Sequence, residues 1–149
     1  MSNLKTAQGD DHPEAAGKHL LDAGALLAAG RPDGAGYLSG YVAECALKTL
    51  WLYEKGYPPG NPMPWGRKGH DLSYLQAQVA SLASVASAKI ARYLGIVTRG
   101  LIASPLTVWR PEMRYEAPHL TLSDALVWHQ IAGAMYQETV AQMRLDGVL

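Results

Sequence analysis

Apolar residues recur at helical spacing along most of the chain, and the pattern predicts an all-α protein. Leu20, Leu21, Leu27 and several alanines give the first helix one buried stripe. Its start reads from Asp11, His12 and Pro13, because proline is tolerated in a first turn and Glu14 sits near the positive helix end. Gly30 suits its C-terminal stop. A second helix is expected from a cap at Asp33 to Lys55, stopped by Gly56. Its stretch from Tyr37 to Tyr53 is apolar nearly all round, which predicts burial on more than one side, at a bundle centre or a subunit interface. Gly36, Gly40 and Ala43 leave one side narrow enough for another helix to approach closely.

Pro58, Pro59, Pro62 and Pro64 mark residues 57–69 as a loop. His70 and Asp71 then open a third helix carrying Leu72, Leu75, Val79 and Leu82, followed by a helical piece around Ala88 to Leu94. From Gly95 to Leu120 the pattern dissolves, since Pro105, Pro111 and Pro118 forbid a long helix; Leu106 to Trp109 could be extended. Thr121 with Asp124 three residues on resembles a capping box, and the last helix should run to about Arg144. Four or five helices without strand alternation predict an antiparallel bundle, one domain over residues 12–149 behind a flexible tail of residues 1–11.

The 149 residues carry 13 basic and 13 acidic side chains, so nucleic acid could be held only by a local cluster of charge. Cys45 stands alone, which rules out an intramolecular disulfide and a four-cysteine zinc site and leaves a small buried residue as the simplest reading. The start of the chain, Met1 to Asp11, lacks the apolar core of a signal peptide, and no apolar run approaches the roughly 20 residues that span a bilayer. The expected location is the cytoplasm. His12, His19, His70, His119 and His129 are scattered with no spacing that demands a metal, and no cofactor motif is present.

Two clusters carry the candidate chemistry. Glu44 and Lys48 lie four apart on the second helix, with Tyr37 and Trp51 on the same side. A carboxylate in so apolar a helix must be paired, by Lys48 or by a base from another helix, unless it orients a cationic group in a pocket. The second cluster runs from Trp109 and Arg110 through Arg114 and Tyr115 to His119. Arginine grips phosphate in a fork, aromatic rings stack on bases, and histidine moves protons near neutral pH. The plainer alternative is that Arg114 anchors the loop to Glu44 or to helix ends and that His119 is solvated.

These residues resemble a family. The run from Ala25 to Lys48, with its short turn, small-residue helix and Glu44-Cys-Ala-Leu-Lys48 ending, looks like the two-helix core of HEPN domains. Gly69-His70-Asp71-Leu72 is similar to the start of that family's third helix, and Met113-Arg114-Tyr115 to the signature before its closing helix. The resemblance spans roughly residues 14 to 145. It implies a dimeric helical bundle that binds a nucleotide, RNA or a nucleotidyltransferase partner, within toxin–antitoxin or defence systems. It also implies an alternative, a metal-independent endoribonuclease in which Arg114 holds the scissile phosphate, His119 transfers protons and Glu44 orients Arg114. In the ribonuclease members an arginine precedes the histidine by four to six intervening residues, and Arg114 and His119 have four between them. A third expectation is a purely structural helical dimer, with Glu44, Arg114 and Tyr115 as a buried network. Lys48, Arg110 and Tyr115 are the expected ligand-binding or organising residues beside Glu44.

Overall fold

The computed structural model describes residues 2–5, 9–56 and 64–149, and among these every regular element is helical. Helix α1 spans His12–Ala28 and α2 spans Pro32–Lys55; α3 (Leu72–Ala83), the short α4 (Ile96–Gly100), α5 (Leu122–Tyr136) and α6 (Gln142–Leu145) complete the bundle. The all-α expectation therefore holds. No helix among the described residues is long and apolar enough to cross a membrane.

Helix α2 is the axis of the molecule, packed along its length by α1 and also by α5 and α3. That position accounts within one chain for its apolar circumference, with Val42, Ala43, Ala46, Leu47 and Leu50 fully buried. Burying the larger of these side chains contributes about 1.5–3 kcal/mol each, so α2 supplies much of the core. Leu72, Leu75, Ile90, Leu101, Leu106, Met135 and Met143 close around it.

The start of α2 differs from expectation. Pro32 occupies the first turn behind Arg31, which makes no side-chain cap. Asp33 therefore lies inside the helix, where Oδ1 accepts the backbone N–H groups of His119 and Leu120 at 2.8 and 3.0 Å. Proline's fixed φ starts the helix unaided, which frees the Asp33 carboxylate to pin a segment 86 residues away. Asp71 does cap α3, accepting from the Tyr74 N–H at 2.9 Å, and Thr121 and Asp124 form the reciprocal box that opens α5.

The small-residue side of α2 receives no helix backbone at Gly40. It is filled by the Trp109 indole, which lies so close that a Cβ on Gly40 would sit 2.2 Å from its ring. A Cβ on Gly36 would meet Leu120 at 2.4 Å and Trp128 of α5 at 3.3 Å. The Trp109 Nε1–H donates to the Tyr37 carbonyl at 2.9 Å, which fixes the ring.

The helical piece expected around Ala88 to Leu94 is a 3₁₀ turn, Lys89–Tyr93, and the segment without helical periodicity folds as α4 and further tight turns rather than extended chain. Leu101–Ala103, Pro105–Val108 and Pro111–Tyr115 are 3₁₀ turns, two of them opened by proline. Their buried anchors are Ile90, Leu101, Leu106 and Trp109. Glu138 ties α4 down by accepting the N–H groups of Val97 and Thr98 at 2.9 and 2.8 Å. It does so from a single π-helical turn, Gln137–Ala141, that joins α5 to α6. Of the expected tail, Ser2 bonds the Asp11 carboxylate and Asn3 the Val148 carbonyl. Of the expected proline loop, residues 57–63 lie outside the described residues.

Candidate functional site

The spacing 37, 41, 44, 48 and 51 puts Tyr37, Tyr41, Glu44, Lys48 and Trp51 on one flank of α2. Glu44 and Lys48 are 3 % and 6 % exposed, a depth at which neither charge is tolerated alone. Lys48 Nζ donates to Glu44 Oε1 at 2.7 Å and lies 4.9 Å from the Trp65 ring centre, so its charge is met by a carboxylate and a π face. The second carboxylate oxygen, Oε2, lies 2.8 Å from His70 Nδ1. A carboxylate is an acceptor only, so Nδ1 carries a proton, and in the neutral ring the lone pair is on Nε2. The His70 side chain is 54 % exposed, which makes it the wet end of a dry network.

His70 opens on a cleft of about 400 Å³ between the start of α3 and the turns around Arg110. Arg67 and Arg110 supply positive charge to its walls, Asp71 and Glu112 negative charge, and Trp109 an aromatic edge. Asp71 is occupied as the α3 cap, and Arg110 forms an ion pair with Glu116. Arg110 reaches this wall because the residue before it, Trp109, is locked onto Gly40.

Aromatic and imidazole rings surround the network. Tyr41 packs edge-on against Trp109 at 4.8 Å and against His70 at 6.3 Å, and His19 of α1 lies 5.5 Å from it. Burial, then the Tyr37 hydroxyl and Glu44, hold the Tyr41 phenol well above its ordinary range. His12 stands edge-on to Trp65 at 5.8 Å, and burial, reinforced by the Lys48 charge, pushes it down to about 4. Among the described residues His12 Nε2, His19 Nδ1 and Trp65 Nε1 are buried without a hydrogen-bond partner. Cys45 is buried on α2, and burial pushes its thiol up to about 12, which suits a packing residue. No three His, Cys, Asp or Glu side chains among the described residues converge as metal ligands.

The second cluster is built differently. Arg114 lies over the Tyr115 ring at 4.7 Å, and Tyr115 and Tyr37 favour its charged form. Its neighbours there are tyrosines, whereas both oxygens of Glu44 are taken by Lys48 and His70. Arg114 lines a shallow cleft of about 210 Å³ with Asp33, Tyr37, Glu116 and Pro118. His119 stays in solvent, with Nδ1 3.1 Å from the Ala117 carbonyl and 3.9 Å from both Asp33 and Glu116.

The tertiary structure thus joins Glu44, Lys48 and Arg110 around His70 and leaves Arg114, Tyr115 and His119 on neighbouring surface. Sequence reasoning missed His70 and Arg67 as site residues. The signal for His70 was present in Gly69-His70-Asp71-Leu72, which reads as a helix start until Glu44 is seen beneath it. No family model, curated protein or solved structure matches the chain.

Proposed function

We propose that this chain is a HEPN-type helical protein that binds the phosphate of a nucleotide or of RNA in the His70 cleft. The observation that carries the reading is the half-exposed imidazole held by a buried carboxylate between two arginine-bearing walls. Guanidinium groups suit phosphate oxygens, and the imidazole adds a further donor to them when Nε2 is protonated. Glu112 on the wall would accept from donor groups of a base or sugar, and Trp109 offers an apolar edge. Support for pre-organisation comes from the Trp109 lock on Gly40, which anchors the chain from which the Arg110 side chain extends. Titration with adenosine monophosphate and a short RNA, followed by NMR of the His70 ring, tests this. Saturable shifts lost in Arg67→Ala and Arg110→Ala, with unchanged helical content, are expected; shifts that survive both variants place the ligand elsewhere.

Dimerisation belongs to the same proposal, supported by the exposed Leu122, Leu126 and Val127 on α5. Light scattering at micromolar concentration decides it: a monomer mass removes the dimer. A nucleotidyltransferase partner in a toxin–antitoxin or defence setting is the family reading with a protein as ligand, and co-purification with such an enzyme tests it.

A ribonuclease reading is favoured by one observation, Arg114 on the second cleft with the half-exposed His119 3.9 Å from Asp33 of the same cleft. It predicts chelator-resistant cleavage of cellular RNA. Equal cleavage by His119→Ala ends that mechanism.

A further inference from the structure

The arrangement at His70 goes beyond what phosphate binding alone requires. Glu44 Oε2 fixes a proton on Nδ1, so in the neutral ring the lone pair is on Nε2, the nitrogen that the buried network leaves unused. Glu44 is kept in place by Lys48 on its other oxygen, inside a helix and against Trp65. A side chain held at one nitrogen by a buried carboxylate and half exposed on a cleft has its reactive lone pair pre-oriented. Among the described residues that line the cleft, His70 carries the one imidazole, and the Asp71 carboxylate is engaged as the α3 cap. The hydroxyl among the described lining residues, on Thr107, donates to the Ser104 carbonyl at 2.8 Å, and Cys45 is buried away from the cleft. Arg67 and Arg110 on the walls would neutralise the oxygens of a phosphoryl group in transfer.

We propose that His70 Nε2 is a phosphoryl acceptor, labelled by a donor of the phosphoramidate class bound between Arg67 and Arg110. The inference deepens the phosphate-binding reading of this cleft and rests on it. In the step, the Nε2 lone pair attacks phosphorus while the phosphorus–nitrogen bond of the donor breaks. The donor nitrogen, already protonated in the zwitterion, leaves as ammonia. The product is an Nε2-phosphohistidine whose Nδ1–H is retained and whose ring, now cationic, faces Glu44. No electron is exchanged with an oxidant or reductant. Glu44 is a positioning residue: it holds the tautomer and compensates the positive charge that develops on the ring.

His119 is an internal control, because its side chain is 47 % exposed, close to His70, yet its Nδ1 meets a backbone carbonyl and more distant carboxylates. The full chain is incubated with potassium phosphoramidate, and phosphohistidine is followed at each position by peptide mass spectrometry and by phosphorus NMR. His70 is expected to label about tenfold or more faster than His119, a difference of about 1.4 kcal/mol in barrier. Glu44→Gln should bring His70 down toward His119 while His119 itself is unchanged. Should that variant lose helical content, Arg67→Ala, an exposed site, provides the same comparison and should slow His70 alone. Equal rates at the two histidines, within about twofold, overturn the inference. Binding of inorganic phosphate, measured on the same sample by shifts of the His70 ring, separates the two readings. Phosphate shifts with equal labelling overturn the acceptor and leave the binding site standing. Neither shifts nor selective labelling overturns both.

Discussion

The molecule presents two clusters of similar chemistry, each with a carboxylate, a base, a histidine and aromatic rings, and they differ in depth. Around Glu44 the charges sit on a central helix in the core, with each carboxylate oxygen assigned to one partner. Around Arg114 the groups sit on proline-opened turns in solvent, with ion pairs between exposed side chains. Depth decides what each cluster can do. A buried network is fixed in one geometry and is expensive to break, whereas an exposed one rearranges at little cost. The pre-organised half of the surface is therefore where His70 meets the cleft, while the literal arginine-to-histidine spacing lies on the adaptable half.

The largest contrast should come from removing one charge of each cluster. Glu44→Ala strands the Lys48 ammonium in the core and should destabilise the fold by about 3–5 kcal/mol, read by urea unfolding. Replacing both partners, Glu44→Leu with Lys48→Met, should restore much of that loss; a double variant as unstable as the single one would show that the ion pair is not what the core depends on.

Next is the pH response of the buried side. His12 is lowered from 6.5 to about 4, chiefly by burial, so the folded protein holds it neutral while the unfolded chain protonates it. Its stabilisation is fully present above about pH 6.5 and is lost as pH falls toward about 4, by about 3 kcal/mol in all. The stability difference between wild type and His12→Phe should shift across that window; a difference that is flat with pH removes the buried-histidine account.

The seam between the clusters is Gly40, over which Trp109 lies. Alanine is the better helix former, yet its Cβ would fall 2.2 Å from the ring, so Gly40→Ala should lose about 1–3 kcal/mol and displace Arg110. A Trp109 fluorescence spectrum unchanged in the variant would contradict that packing. The smallest effect belongs to the exposed side. Arg110→Ala breaks the pair with Glu116 and should cost under about 1 kcal/mol, while ligand shifts at His70 are lost.

Much of the fold could be read from the order of residues. Gly56 stops α2, Asp71 caps α3 and the Thr121–Asp124 box opens α5 where local chemistry places them, because caps and stops act within one turn. The Glu44–Lys48 pair was legible for the same reason, as helical spacing puts residues four apart on one face. The cap assigned to Asp33 failed because Pro32 alone sufficed and the carboxylate found donors at His119 and Leu120 instead. The narrow side of α2 was legible as a close approach, but its occupant, an indole from an irregular turn, was not.

By itself the sequence determined the helical class, the ends of the main helices and the need for Glu44 to be paired. These follow from periodicity and from the cost of burying charge, which are local properties of the chain. Only the tertiary structure decided that the partner on the open side is His70, that Arg110 faces the same cleft and that Arg114 turns toward tyrosines. Those choices depend on which distant segments fill the small-residue faces of α2, and no spacing within one helix encodes that.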